Sequence, residues 1–257
     1  MKKAKYTFYI IFLILPGLML AQDSARRIGF YIGPVFSPDY SYRLLSAGSG
    51  PQDQLIIDNR NGYETPKLAC TAGLTILYQK NKKLAFSFGI QYSVKGEATK
   101  DMPLNFGSII DPRRGFVYTS GSSNANIVSV SLAYQTCYLD LPLLVNYYFS
   151  TGRNAWYVSG GISTNIFLYE KIIRTERDDK GATLRSSQIY SRNQTDYYLL
   201  NPQLQLGIGF DRIIRTSRLR IEPVGRLSVW NVDEQGTIKG YFYSVGISCQ
   251  YFFPLKR

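Results

Sequence analysis

The stretch Leu84–Val94 reads LAFSFGIQYSV, and its strict alternation of side-chain types decides the fold class. Every second position, from Leu84 to Val94, is large and apolar, whereas the positions between them are small or polar. Successive side chains of a β-strand point to opposite faces, so this segment has one apolar face and one small, polar face. The pattern predicts a β-strand whose two faces meet different surroundings.

Seven further segments repeat or approximate this alternation, which predicts eight strands in all. Enrichment in aromatic residues (21 tyrosines and 14 phenylalanines) together with 22 glycines also favours strands over helices. In the longest segment the apolar positions change from even to odd numbers, and one extra residue near Tyr138 predicts a β-bulge there. Pro223 predicts a local break in strand pairing. The seven segments are Ile28–Phe36, Leu68–Tyr78, Val128–Phe149, Trp156–Tyr169, Pro202–Asp211, Arg218–Val229 and Tyr241–Tyr251.

The gaps between these strands alternate in length, as expected for an antiparallel barrel with one rim of short turns and one rim of long loops. In bacterial outer-membrane barrels the short turns face the periplasm and the long loops face outward. We therefore predict an all-β, eight-stranded antiparallel up-and-down transmembrane β-barrel with short periplasmic turns and long extracellular loops. The short gaps are 79–83, 150–153 and 212–217, the long gaps are 37–67, 95–127 and 170–201, and the gap 230–240 is intermediate.

Alternation is also found in soluble barrels, so the polar face must discriminate between the two environments. Segments 68–78, 84–94 and 156–169 carry no charged residue on either face. Small neutral residues suit a narrow packed interior, and a chain of this size has no second layer to cover the apolar face, so lipid is the favoured surrounding. A soluble lipocalin-like ligand-binding barrel stays open as an alternative.

Aromatic residues gather near both ends of the predicted strands, which indicates two interfacial girdles. The short-turn girdle would contain Tyr147, Tyr148, Phe149, Trp156, Tyr157, Phe210, Phe252 and Phe253. The long-loop girdle would contain Tyr92, Tyr134, Tyr169, Tyr197, Tyr198, Trp230 and Tyr241.

Residues 1–21 read MKKAKYTFYIIFLILPGLMLA, with three lysines followed by a short apolar run. This pattern predicts a secretory signal peptide at 1–21, followed by a single outer-membrane β-barrel domain at 22–257. An uncleaved membrane anchor is the alternative, but the apolar run is short and contains Pro16 and Gly17. The expected localisation is the cell outer membrane.

Composition excludes several classes of chemistry. The chain has no histidine, so histidine-dependent triads, metal sites and general bases are absent. Three widely spaced cysteines fit neither a disulfide scaffold nor a zinc motif, and we predict no cofactor and no metal. The formal charge of +12 falls to about +9 without Lys2, Lys3 and Lys5 (12 − 3). The basic residues are scattered through the predicted loops, which favours contact with outer-membrane lipids and lipopolysaccharide over contact with nucleic acid.

Four short motifs resemble the outer-membrane β-barrel family of Bacteroidetes that includes the PorT-like proteins. The resemblance implies an eight-stranded barrel inserted by the outer-membrane assembly machinery, which reads an aromatic-ended last strand. One branch of that family is tied to protein secretion. The motifs are YLDLPLLVNYYF at Tyr138–Phe149, WYVSGGIS at Trp156–Ser163, LQLGIGFD at Leu204–Asp211 and YFF at Tyr251–Phe253.

Charged residues are rare inside the predicted strands, and each is a candidate for function. An ionised group facing lipid is costly, so we expect these residues to face the lumen. They could form a polar path or ligand site, but an ion-pair network that plugs a narrow barrel is the favoured interpretation. The lumen-facing polar candidates are Asp140, Asn146, Asp211, Arg220, Glu222 and Arg226.

The sequence favours a non-enzymatic integral membrane protein that binds a partner at the surface or supports an envelope complex, including one that serves secretion. The alternatives are an outer-membrane lipid-modifying enzyme and a small pore. Without histidine and without a G-x-S-x-G nucleophile motif, the enzyme is disfavoured. The predicted barrel size disfavours the pore. An envelope protein partner is expected, but the sequence does not identify it.

Overall fold

The computed structural model describes residues 28–48, 50, 52–103, 108–110, 117–119, 127–233 and 237–255. The predicted signal peptide lies outside the described residues. In chain order the elements are β1 (Gly29–Ser46), α1 (Asp53–Tyr63), β2 (Glu64–Gln79), β3 (Leu84–Lys95), β4 (Glu97–Thr99), β5 (Met102–Pro103), β6 (Ser108–Ile110), β7 (Val117–Thr119), β8 (Ile127–Tyr148), β9 (Asn154–Asp178), β10 (Thr183–Tyr190), a 3-10 helix (Arg192–Gln194), β11 (Leu200–Ile214), β12 (Ser217–Ser228) and β13 (Lys239–Pro254).

Eight long strands form a closed antiparallel ring. The order around the ring is β1, β2, β3, β8, β9, β11, β12 and β13, and β13 pairs back onto β1. The pairing of β8 with β9 is the longest of these pairings, and it closes the ring. The predicted eight-stranded antiparallel up-and-down barrel is therefore confirmed, and every strand predicted from the alternation is present.

Three short strands enlarge the sheet to eleven strands, so the count of eight was too low for the sheet as a whole. Strands β4 and β5 pair with β8, and β10 pairs with the far end of β9. The separate strands β6 and β7 pair with each other. Alternation did not reveal these strands because they lie beyond the lipid-spanning part, where both faces of a strand can be polar.

Several long strands also extend further than predicted. The gaps 37–67 and 170–201 were predicted as loops, but β1 continues to Ser46, β2 starts at Glu64 and β9 continues to Asp178. About 10 residues suffice for a tilted strand to cross the hydrocarbon core. With 22 residues in β8 and 25 in β9, the two strands form a hairpin that reaches well past the membrane on the long-loop side.

The predicted β-bulge lies beside Tyr138, but the extra residue belongs to the neighbouring strand. Cys137 pairs with Tyr169 whereas Tyr138 pairs with Phe167, so Leu168 of β9 has no residue opposite it. The even-numbered residues of β8 face inward along almost its whole length. The prediction that β8 changes face was therefore wrong, and it is β9 that changes face.

The misleading apolar residues of β8 belong to a second core above the membrane. Val130, Leu132 and Tyr134 are buried and pack with Met102 of β5 and Ile172 of β9. The membrane-spanning part of β8 thus turns its apolar side chains outward, whereas the far end of β8 turns them inward.

The predicted break at Pro223 is confirmed on one side, because Pro223 pairs with Ile247 of β13 and has no partner on β11.

Around the middle of the barrel the apolar face of each strand points outward. Leu74, Ile90, Leu143 and Leu206 are between 57% and 68% exposed, as expected for side chains that meet lipid. The small and polar face is buried in the lumen. Within the described residues, no helix is long and apolar enough to cross a membrane.

Only part of each predicted aromatic girdle faces outward. Tyr147, Phe149, Trp156 and Phe253 are exposed at the short-turn rim, and Tyr92, Tyr198 and Trp230 are exposed toward the long loops. Where two aromatic residues are adjacent in a strand, as in Tyr147–Tyr148, Trp156–Tyr157 and Phe252–Phe253, the alternation itself turns one ring outward and the other inward. The girdle residues that are buried instead are Tyr134, Tyr148, Tyr157, Tyr197 and Phe252.

Candidate functional site in the barrel lumen

The lumen contains all six polar residues predicted to face inward. Asp140 and Asn146 come from β8, Asp211 from β11, and the other three from β12. Each is at most 5% exposed. The structure distributes these residues over several clusters along the barrel axis, and every cluster contains further charged or polar residues. The three from β12 are Arg220, Glu222 and Arg226.

The rim cluster (Gln79, Tyr148, Asp211 and Arg218) lies closest to the short turns. The Arg218 guanidinium donates to both Asp211 carboxylate oxygens, and it also donates to Gln79 Oε1 and to the Tyr148 hydroxyl, each at 2.7 Å. Tyr148 in turn donates to Asp211 Oδ2 at 2.9 Å. Strands β11 and β12 are joined by a tight turn, which brings their inward side chains together directly above it.

Aromatic rings fill the space around the rim cluster. The guanidinium carbon of Arg218 lies 5.1 Å from the Tyr31 ring centre and 5.5 Å from that of Tyr148. Cations over aromatic faces are stabilised by the ring quadrupole, most strongly where water is excluded. These groups form an apolar plug at the short-turn end of the lumen. Its members are Tyr31, Leu77, Ala85, Tyr148, Ala155, Tyr157 and Phe252.

The middle cluster (Asn146, Tyr157, Ser159, Arg220 and Glu222) lies one layer further along. Arg220 Nη2 donates to Asn146 Oδ1 at 2.7 Å, and its guanidinium carbon lies 3.9 Å from the Tyr157 ring centre. Glu222 accepts hydrogen bonds from the hydroxyls of Tyr157 and Ser159. The cation and the carboxylate are 3.8 Å apart, so their charges compensate each other.

The upper cluster (Asp39, Thr71, Lys95, Asp140 and Arg226) contains two buried ion pairs. Arg226 Nη1 lies 2.8 Å from Asp39 Oδ1, and Thr71 donates to Asp39 Oδ2 at 2.7 Å. Lys95 Nζ lies 3.3 Å from Asp140 Oδ2. Charges removed from water are tolerated when they are paired and hydrogen-bonded, which is the arrangement found here.

A small cavity separates the middle and upper clusters. It leaves about 10 Å³ for the centres of water molecules, close to the space that a single buried water needs. The cavity lining includes Val35, Gln91, Asn146, Arg220, Glu222 and Arg226.

The loop cluster (Arg43, Arg60, Glu64 and Glu97) lies under α1 at the long-loop end. Arg43 Nη2 lies 2.7 Å from Glu64 Oε1 and 3.2 Å from Glu97 Oε1, and Arg60 Nε lies 2.9 Å from Glu64 Oε1. The four residues join β1, α1, β2 and β4. A neighbouring group of buried apolar residues packs together beside them. Its members are Tyr138, Phe167, Tyr197, Val232 and Phe242.

Hydrogen bonds connect the loops at the long-loop end of the barrel. Asp53, at the start of α1, accepts hydrogen bonds from the Thr237 hydroxyl at 2.6 Å and from the backbone amides of Gly48 and Gly50. The Thr237 hydrogen bond is the main reason why the pKa of Asp53 lies below its ordinary value, and the two amides add to it. These hydrogen bonds connect the start of α1 to the loop before it and to the loop between β12 and β13.

A family model described as an outer membrane protein beta-barrel domain matches residues 20–229, which is most of the chain. The chain belongs to this family. Membership agrees with the closed ring of strands, and it places the protein in the outer membrane. No curated protein matches the chain.

A comparison with solved structures gives matches to several outer-membrane proteins. Neisserial surface protein A is 11% identical with a TM-score of 0.36, and the match covers 89% of this chain and 98% of that one. OprG from Pseudomonas aeruginosa is 14% identical with a TM-score of 0.38, covering 90% and 99%. Ail, the attachment invasion locus protein of Yersinia pestis, is 10% identical with a TM-score of 0.34, covering 88% and 100%. The family assignment rests on the family model alone.

Sequence reasoning missed several charged residues in the lumen of this outer-membrane barrel. Arg218 has the same phase as Arg220 on β12, so the alternation could have identified it. Asp39, Arg43 and Glu64 lie in a gap that was predicted as loop. The alternation of Ile28–Phe36 in fact continues to Leu44, with Asp39 and Arg43 on the polar face, so an extended strand could have identified these two. Across the described residues, no group of acidic and cysteine side chains has the arrangement of a metal site.

Proposed function

We propose that this protein is a non-enzymatic outer-membrane barrel that presents a rigid, structured surface outside the membrane to a protein partner. The observation that carries the proposal is the three-stranded extension formed by the far ends of β8 and β9 together with β10. This feature lies beyond the length needed to cross lipid. A sealed lumen below it provides a fixed base.

The extension has the architecture of a binding platform. Residues 127–136 of β8 pair with residues 170–178 of β9, and β10 adds a third strand along Glu170–Arg177. Its side chains include Leu184 and Ile189, which are 63% and 61% exposed. Large apolar side chains that stay exposed outside the lipid region are common at sites of protein–protein contact.

The lumen supports this assignment over the pore and the enzyme. Transport needs a continuous polar path, but paired charges and aromatic plugs occupy the described lumen at both ends. Catalysis needs a reactive group that substrate can reach, and the six sequence candidates are all buried. Their role is to hold the barrel shut and rigid.

A photo-crosslinking amino acid at Leu184 or Ile189 tests the proposal in living cells. We expect each position to give one discrete protein adduct, because partner side chains would lie within reach of the exposed strand. Leu206, which is 68% exposed on the lipid-facing surface, is the matched control and should give no protein adduct. Mass spectrometry would identify the partner.

A shortened hairpin provides the second arm of this experiment. Ile172 pairs with Gln188, so an Asn-Gly turn in place of residues 173–187 would remove the tip and preserve the paired strands below. We expect the barrel to keep its heat-dependent gel migration while the partner is no longer recovered. Adducts at Leu206 but at neither extension position would contradict a partner-binding extension.

The finer family assignment is also a proposal. The segments at Tyr138–Phe149 and Trp156–Ser163 support membership of the PorT-like Bacteroidetes branch and, through it, a role linked to secretion. The aromatic end of β13 at Tyr251–Phe253 supports insertion by the outer-membrane assembly machinery. Contact with lipopolysaccharide through the long-loop rim belongs to the same proposal.

A further inference from the structure

The short-turn rim carries only positive charge. This rim consists of residues 80–83, 149–153 and 212–217, and it contains six basic residues and no acidic one. Charges of both signs mix on the long-loop side, where Asp101 and Arg177 form an exposed ion pair. The basic residues of the rim are Lys80, Lys82, Lys83, Arg153, Arg212 and Arg215, of which Arg212 is half-buried and the others are exposed.

These charges are spread around the circumference of the barrel. The three segments connect β2 to β3, β8 to β9 and β11 to β12, which are three of the four junctions on this rim. The fourth junction is where β13 meets β1. A ring of charge fits an annulus of lipid headgroups, whereas a patch on one side would fit a single protein partner.

The position of these basic residues along the barrel axis also indicates contact with lipid headgroups. The rim lies next to the exposed aromatic residues Tyr147, Phe149, Trp156 and Phe253, which mark the boundary between hydrocarbon and headgroups. Arg212 lies at the end of β11, opposite Asn154 and two residues beyond Phe210 on the same outward face. This register places Arg212 at the level of the headgroups.

The backbone conformation of Arg215 supports a functional role for its positive charge. Arg215 has a φ of 57°, in the left-handed region that favours glycine or asparagine. An arginine at this position makes the tight turn between β11 and β12 less favourable than either alternative would. The turn geometry does not explain the arginine, but a requirement for positive charge at the tip does.

We infer that the short-turn rim binds the headgroups of anionic phospholipids, of the phosphatidylglycerol class, in the leaflet that surrounds it. Lysine and arginine side chains near an anionic surface pair with phosphate groups, and no carboxylate of the rim competes with the lipid. This surface is on the opposite end of the barrel from the partner-binding extension. The two proposals can therefore fail independently.

Tryptophan fluorescence quenching in reconstituted vesicles tests the inference. The chain has two tryptophans, so the Trp230→Phe variant leaves Trp156 at the rim as the sole reporter. Vesicles of phosphatidylcholine with brominated phosphatidylglycerol or brominated phosphatidylcholine give the relative association constants of the two lipids. We expect a preference of roughly fivefold or more for phosphatidylglycerol, the size expected from one basic residue at an anionic surface, and its loss at high salt.

Two matched triple variants localise the effect. Lys82→Gln, Arg212→Gln and Arg215→Asn should bring the ratio close to one, whereas Lys180→Gln, Arg185→Gln and Lys239→Gln on the long-loop side should leave it unchanged. Heat-dependent gel migration confirms that each variant is folded. A ratio near one in the unaltered rim, or equal losses in both variants, would overturn the inference. A rim that retains an acidic periplasmic protein but shows no lipid preference would overturn it as well.

Discussion

Asp211→Asn is expected to lower the free energy of unfolding by about 3–5 kcal/mol, because it leaves a buried arginine without its counter-charge. Asp211 receives hydrogen bonds from Arg218 and Tyr148, and all three side chains are fully enclosed. The asparagine keeps the size of the side chain, so the loss reports the charge rather than packing. Urea titration of the barrel refolded in phospholipid vesicles measures the change.

An exposed ion pair provides the matched control for this result. Asp101 and Arg177 lie 3.2 Å apart with about half of each side chain exposed, so Asp101→Asn should cost less than about 1 kcal/mol. Combining Asp211→Asn with Arg218→Met should cost less than the sum of the two single changes, since no unpaired charge remains. Additive losses would show that the rim cluster does not act as a unit.

Gly161→Ala is the second substitution with a large expected effect. A Cβ atom added at Gly161 would overlap the backbone carbonyl of Leu143 on the paired strand β8, and this backbone cannot move without disturbing the pairing. We expect a loss of about 2–3 kcal/mol, at the upper end of the range for overpacked sites. The same urea titration applies, and a reduced folded fraction on a heat-modifiability gel is the readout if refolding fails.

Gly225→Ala is the control for the glycine effect. A Cβ atom at Gly225 would have no atom within 4 Å, and the residue also lies in a barrel strand. This variant should stay within about 0.5 kcal/mol of the original protein. Equal losses at both positions would mean that strand glycines are needed for reasons other than the close approach of β8 and β9.

The barrel itself could be predicted from the sequence because lipid imposes one simple requirement on its strands. In β2, β3, β11 and β13 the outward face must be apolar and the narrow lumen admits small or polar groups, so the alternation is nearly unbroken. Together with the cost of an ionised side chain that meets lipid, the alternation predicts that Asp211 and Glu222 face inward, and both side chains are buried in the structure.

The part of the chain outside the membrane could not be predicted in this way. There β9 continues as a strand with charged or polar residues on both faces, and Val130 and Leu132 of β8 face inward in a local core. The alternation reverses because water, not lipid, surrounds the outer face. The sequence pattern therefore indicates loops where strands continue, and a face change in β8 where β9 contains the extra residue.

The contacts between side chains within the lumen could not be predicted from the sequence either. Arg226 and Asp39 are 187 positions apart, and nothing in the local pattern links them. The ring closure determines such partners, since it brings β1 and β12 to either side of β13. The sequence did indicate that these side chains must form ion pairs, because each buried charge requires an opposite charge nearby.

The measurement that most directly tests the central claim is single-channel recording of the purified barrel in planar lipid bilayers. The paired charges and aromatic plugs predict no stable conductance, and Glu222→Gln should leave the barrel closed because Tyr157 and Arg220 still fill the lumen beside it. A steady conductance that changes on substitution of Arg220 or Glu222 would contradict the sealed lumen and identify the protein as a pore.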